Sequence, residues 1–290
     1  MYTKVLVPLD GSQLAEQILP YARVMAAACG MRIELLWVTD PEAASPLLLT
    51  TEGGEYLEQL AVRCLPSSLQ VAYAEKYGDP AAVIIDTAKG DPECLIAMAT
   101  HGMSGIRRWL LGSVASKVVQ KAQNPLLLIR PVERAASTGS AELKTIFVPL
   151  DGSGLAEIVL PHASALAKKL NAEVHLLRVY TVPANAYVVA DGVIAQGAGQ
   201  YREELRKAAD VYLEGKLQSL RAAGLENVVT TSSPGDPALE IIDIARRTRN
   251  NLIAMSTHGR SGVGRWLLGS VAEKVVQHSG DPVLLVRPVE

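Results

Sequence analysis

The chain has 290 residues, 49% of them apolar and 20% charged, and a formal charge of -2 at pH 7. That is the balance of a soluble globular protein with material for about two domains, and it argues against nucleic acid as the main partner, which would favour a clustered basic face. No apolar run approaches the ~20 residues that span a bilayer, and the three cysteines, Cys29, Cys64 and Cys94, have no paired spacing, so they read as packed, reduced thiols of a cytoplasmic protein.

The opening MYTKVLVPLDGS is a strand pattern and not a secretory leader. In the first half the predicted strands are KVLVPL, RIELLWV, LQVAYAEKY, CLIAMA and LLLIR, and the helices between them start near Leu14, Tyr56, Pro80 and Ser113. Ser12 is placed to cap the first helix, and Glu16 favours its positive end. Pro20, and Pro161 in the second half, bend their helices or mark a late start. Apolar strands alternating with helices predict an α/β fold, a parallel sheet covered on both faces.

The chain repeats itself. VLVPLDGS at 5–12 returns as IFVPLDGS at 146–153, YGDPA at 77–81 as PGDPA at 234–238, and NPLLLIRPVE at 124–133 as DPVLLVRPVE at 281–290. THGMSGIRRWLLGS at 100–113 returns as THGRSGVGRWLLGS at 257–270. Two copies of one domain follow: residues 1–133 and 144–290, joined by a small, polar linker at 134–143. Asp10 and Asp151 are 141 residues apart, whereas Gly78 and Gly235, Gly102 and Gly259, and Gly112 and Gly269 are 157 apart. The second copy therefore holds 16 extra residues, placed within 180–224, where YREELRKAADVYLEGKLQSLRAAG has an amphipathic helical pattern.

The glycine-spaced loop follows strand four and leads into a helix beginning at Ser113. A helix start offers free N–H groups and a positive dipole end, which together make an anion site. Gly102 and Gly105 let the backbone approach a ligand closely. Asp10 lies at the carboxyl end of strand one. If strands one and four flank the point where strand order reverses, Asp10 and the loop face one crevice. An acid beside phosphates needs a cation between them or a ribose hydroxyl to bind. A dinucleotide loop, a P-loop and a phospho-aspartate receiver site each lack their required residues here.

On these residues the chain resembles a tandem universal stress protein. Nucleotide-binding members of that family carry G-x2-G-x9-G-[ST] after strand four and an Asp after strand one. Gly102 with Gly112-Ser113 fits that pattern, as does Gly259 with Gly269-Ser270; the first glycine is replaced by Ala99 and Ser256. The resemblance implies two Rossmann-like domains, each a five-stranded parallel sheet of order 3-2-1-4-5, and ATP or another adenine nucleotide across the strand ends, with Mg2+ accompanying it. Adenine would sit beside the backbone of Val38 and of Val179. The strand-one ends Pro8-Leu9-Asp10 and Pro149-Leu150-Asp151 would lie near ribose, phosphates or metal. Gly102, Gly105, Gly112, Ser113 and Val114 would hold ribose and phosphates in the first half, and Gly259, Gly262, Gly269, Ser270 and Val271 in the second. Pairing of the two fifth strands within the chain is implied too, as is a homodimer. The expected role is a stress-response sensor or regulator; the alternatives are a scaffold working through partners and a slow ATP hydrolase.

Other features have plainer readings. His101 and His258 lack a serine, cysteine or second acid for a relay and read as structural or phosphate-adjacent. Trp109 and Trp266 read as closing the loop over the core, with a partner-binding anchor as the alternative, and Arg107, Arg108 and Arg265 as a solvated face or phosphate contacts. Asp79 and Asp236 read as helix caps with proline at the first helical position.

Overall fold

The structure, a computed structural model, describes residues 2–41, 53–102, 111–132, 139–182, 197–259 and 268–288. The first half runs β1 (Lys4–Leu9), α1 (Gln13–Glu16), α2 (Leu19–Cys29), β2 (Arg32–Thr39), α3 (Gly53–Cys64), β3 (Val71–Tyr77), α4 (Pro80–Lys89), β4 (Cys94–Ala99), α5 (Ser113–Lys121) and β5 (Leu126–Ile129). The second runs β6 (Thr145–Pro149), α6 (Gly154–Glu157), α7 (Leu160–Leu170), β7 (Glu173–Tyr180), α8 (Gly197–Ala222), β8 (Val228–Pro234), α9 (Pro237–Arg246), β9 (Asn251–Ser256), α10 (Ser270–His278) and β10 (Val283–Val286).

Local chemistry explains the punctuation. The Ser12 hydroxyl accepts from the Ala15 N–H at 3.1 Å and starts α1. That helix lasts four residues, and Pro20 then sits in the first turn of α2, where a missing donor costs nothing. Pro161 does the same in α7. The prolines thus mark a late start rather than a bend. Asp79 accepts from Ala82 N–H, and Asp236 from Ala238 and Leu239 N–H, each ahead of a first-turn proline.

The strands form one ten-stranded sheet of order β3-β2-β1-β4-β5-β10-β9-β6-β7-β8. Pairing is parallel within each half, and β5 meets β10 antiparallel, with Leu127 opposite Leu284. All six side chains of β1 and of β4 are buried, as strands covered on both faces must be. One core layer packs Val5, Leu35 and Leu127 with α2, α3, α7 and α8; the other packs Leu6, Ile96 and Leu128 with α4, α5, α9 and α10. Both layers run through both halves.

Arginines at the ends of β5 and β10 reach across the seam. Arg130 donates to the Gln277 carbonyl of α10 at 2.5 Å, and Arg287 donates to the Val119 and Gln120 carbonyls of α5 at 2.8 and 2.9 Å. Each supplies a cation to the partly negative C-terminus of the other half's helix. Tyr2 donates to or accepts from His162 Nδ1 at 2.8 Å and stacks on its ring. At the end of the connection, Leu143 is already buried in the core.

The repeat breaks at α3 and α8, of 12 and 26 residues. Tyr56 and Tyr212 occupy matching places, each bonded to the acid of the preceding short helix, so most of the excess lies N-terminal to Tyr212. Cys64 and Cys94 are buried and Cys29 half-buried; all three are free thiols. Among the described residues no helix is long and apolar enough to cross a membrane.

Candidate functional site

Strand order reverses at β1, which lies between β2 and β4, and at β6, between β7 and β9. In open α/β sheets the crevice outside the strand ends at that point receives ligands. Asp10 and Asp151 stand there. Oδ1 of Asp10 accepts from Ser12 N–H at 3.0 Å and Ser12 Oγ–H at 2.6 Å; Oδ1 of Asp151 accepts from Ser153 at 2.9 and 2.6 Å. The intervening Gly11 and Gly152 have φ of 82° and 85°, a turn that L side chains resist.

The loop glycines meet these carboxylates. A Cβ on Gly102 would overlap Oδ2 of Asp10, and one on Gly259 would overlap Oδ2 of Asp151. Gly112 N–H donates to the Thr100 carbonyl at 2.9 Å, and Gly269 N–H to Thr257 at 2.8 Å. These bonds draw the start of α5 or α10 back to the strand end, and neither start has a side-chain cap. The N–H groups of Ser113 and Val114, and of Ser270 and Val271, lack intrahelical acceptors by the geometry of a helix start.

The third wall is the end of β7. Leu177 C=O accepts from Leu150 N–H, and Tyr180 C=O from Gly235 N–H on the other side. Alternation along a parallel strand then turns the Val179 backbone groups toward the β6 side, just past the last β6 pair at Pro149 and Leu177. Val38 has the same position past Leu9 and Trp37 in the first half.

In the second half these walls enclose a cavity of about 440 Å³, within the range of small-molecule sites. Pro149, Leu150, Asp151, Val179, Ser256, Gly259, Gly269, Ser270 and Val271 all line it. So do Ile241, Met255 and, from the extended start of α8, Leu205 and Ala208, which give one end an apolar wall. In the first half Pro8 and Leu9 end β1 and Asp10 follows it, Ala99 ends β4 with Gly102 three residues beyond, and Gly112 precedes Ser113 and Val114 at the start of α5. Gly105 and Gly262 lie outside the described residues, as do Arg107, Arg108, Trp109, Arg265 and Trp266. Ala99 is buried at the end of β4; Ser256 bends its hydroxyl back to accept from His258 N–H at 3.3 Å.

Several neighbours of the site escape sequence reading. Glu16 does more than favour a helix end: it accepts from Tyr56 at 3.0 Å and Arg63 at 2.9 Å on α3. Glu157 accepts from Tyr212 at 2.7 Å and Lys216 at 2.6 Å on α8. Burial raises the Glu157 carboxyl, but the bonds from Lys216 and Tyr212 outweigh it and hold the group below its ordinary value. Burial and the Glu157 bond push the Tyr212 phenol well up, so it remains a donor. Arg178 lines the cavity, with its guanidinium 4.5 Å from the Tyr212 ring centre. The matching residue, Trp37, meets Tyr56 edge-on at 5.4 Å. Comparing LLWVTD with LLRVYT, position by position, is the signal that finds this pair.

The histidines are tied to the preceding threonines: His101 Nδ1 to Thr100 Oγ1 at 3.0 Å, and His258 Nδ1 to Thr257 Oγ1 at 2.9 Å. Among the described residues no group of three or more histidines, cysteines and acids is placed to hold a metal alone.

The universal stress protein family model matches residues 1–130 and again 142–287. A universal stress protein of Methanocaldococcus jannaschii is 34% identical over 144 residues, 50% of this chain and 82% of that protein. Another, from Mycolicibacterium smegmatis, is 24% identical over 305 aligned positions, covering 98% of this chain and 97% of its own. The crystal structure of a universal stress protein from Archaeoglobus fulgidus covers 99% of both chains at 23% identity and a TM-score of 0.74, a likeness of fold.

Proposed function

This chain belongs to the universal stress protein family, and on that premise we propose that each half binds an adenine nucleotide, ATP first, and that the protein acts as a stress-response sensor or regulator in the cytoplasm. One observation carries the reading: in each half a carboxylate and a pair of glycines converge on an uncapped helix start. Phosphates would lie on the N–H groups of Ser113 and Val114, or of Ser270 and Val271. The Asp10 and Asp151 carboxylates suit a ribose hydroxyl or a shared Mg2+, and the Val38 and Val179 backbone edges suit adenine. Mg2+ binds through one or two carboxylates plus substrate phosphates, and Oδ2 of Asp10 or Asp151 is the donor that would hold it. Among the described residues the histidines are tied to threonines, which fits slow hydrolysis at most rather than rapid turnover. The β5–β10 seam supports reading one chain as a pseudo-dimer.

Isothermal titration of the full chain with ATP and Mg2+ tests the reading. The expected result is saturable heat approaching two nucleotides per chain. No heat at millimolar nucleotide removes it and favours a scaffold that works through partners.

A further inference from the structure

The two sites differ in charge at one strand end. Asp10 and the Asp79–Lys117 pair have direct equivalents in Asp151 and Asp236–Lys274, and Glu16 and Glu157 are each paired with one cation, Arg63 or, one turn earlier on its helix, Lys216. The end of β2 and the residue after it read Trp37-Val38-Thr39-Asp40, whereas the end of β7 and the residue after it read Arg178-Val179-Tyr180-Thr181. An indole is replaced by a guanidinium and a carboxylate by a hydroxyl, so the second site gains two units of positive charge. Both replacements face the ligand space, since Arg178 and Thr181 line the cavity. Arg178 lies against Gly152, next to Asp151, closely enough that a Cβ there would collide with its guanidinium; the Trp37 ring covers Gly11 in the same way.

An acid beside a polyphosphate requires a positive charge between them. Arginine is always charged, weakly hydrated and shaped to grip phosphate oxygens. We propose that Arg178 sets the ligand class of the second site: it holds the phosphates of a nucleotide beside Asp151 without a divalent cation, whereas the first site, with Trp37 and Asp40 in those places, takes the nucleotide only as its metal complex. This rests on the nucleotide reading above. Tyr212 fixes the guanidinium from behind, itself anchored by Glu157.

The test is equilibrium binding of ATP to the full chain in Mg2+ and in excess EDTA. The wild-type protein binds two nucleotides with Mg2+ and one without. Arg178→Met, which keeps an apolar stem on Tyr212, loses affinity in EDTA by about tenfold or more, the weight of one charge-assisted contact; Arg178→Lys retains most of it. Trp37→Arg with Asp40→Thr gains a second nucleotide in EDTA. Equal stoichiometry in the two media overturns the inference, as does Arg178→Met with unchanged binding in EDTA. Two nucleotides in Mg2+ and none in EDTA overturns it while leaving the nucleotide reading standing. No binding in either medium removes both.

Discussion

The halves share a frame and differ in how it is roofed. Asp, Ser and Gly hold the same turn at 10–12 and 151–153, with near-equal hydrogen bonds. Over that turn the first half lays Trp37 and a 12-residue α3, and the second lays Arg178 and a 26-residue α8. The lower part is fixed by backbone geometry: glycine at positive φ and glycine against a carboxylate allow no substitute. The roof is side chain on side chain, with many solutions, and there the copies have diverged. A duplicated domain thus keeps the same turn and the same close glycine–carboxylate approach while the groups above them differ.

The largest expected effect comes from filling one cradle. Gly259→Val forces a side chain into Asp151, and such overpacking costs about 1–3 kcal/mol. Titration should then show nucleotide binding lost in the second half and kept in the first; Gly102→Val should do the reverse. If either substitution empties both sites, the halves do not bind independently.

Next comes the seam. Arg287→Ala removes two bonds to carbonyls and Arg130→Ala the Gln277 bond, at about 1.5–3 kcal/mol for hydrogen bonds from a charged group. Chemical denaturation should rank Arg287→Ala as the costlier, and the double variant should split calorimetric unfolding into two steps. A single sharp transition would show that the shared apolar layers suffice to couple the halves.

A smaller effect separates the two tyrosine–glutamate anchors. Tyr56→Phe and Tyr212→Phe each remove a hydroxyl donor from a carboxylate. The Glu16 side chain is 6% exposed and Glu157 27%, so water replaces the lost bond more easily in the second half. Urea titration should therefore find Tyr56→Phe worse by about 1 kcal/mol, although its bond is the longer.

The smallest effect is a pH dependence. Burial lowers the His162 imidazole, with a further push from the N-terminal charge. Since its folded value lies below its unfolded one, the neutral ring's contribution is fully present above about pH 6.5 and is lost as pH falls below that. The ring meets Tyr2 across the two halves, so thermal scans should show the wild type losing more stability than His162→Phe between neutral and mildly acidic pH.

Much of this was legible in the sequence. The repeat offsets located both halves and the 16-residue excess, and YREELRKAADVYLEG declared α8. Proline at 20 and 161 signalled either a bend or a late helix start, and its place in the first turn of α2 and α7, where its missing donor is harmless, decides for the start. Strand order 3-2-1-4-5 came from family likeness, because periodicity says that strands are buried without saying which are neighbours. The convergence of Asp10 with Gly102 depended on that order. Glu16 with Tyr56, and Arg287 with the end of α5, were out of reach: each joins residues 40 or more positions apart, and neither carries a local pattern. Arg178 was hidden for another reason, since the search for repeats rewards agreement and its meaning lies in disagreement with Trp37.

The antiparallel seam also has a geometric consequence. Strands of the two halves point opposite ways, so the carboxyl ends of β1 and β4 and those of β6 and β9 lie at opposing edges of the sheet. Each crevice thus opens beyond the end of the sheet at which the other half's strands begin. Among the described residues the halves are joined by the shared hydrophobic layers and by the bonds of Arg130, Arg287 and Tyr2, and those are the routes open to a signal between the crevices.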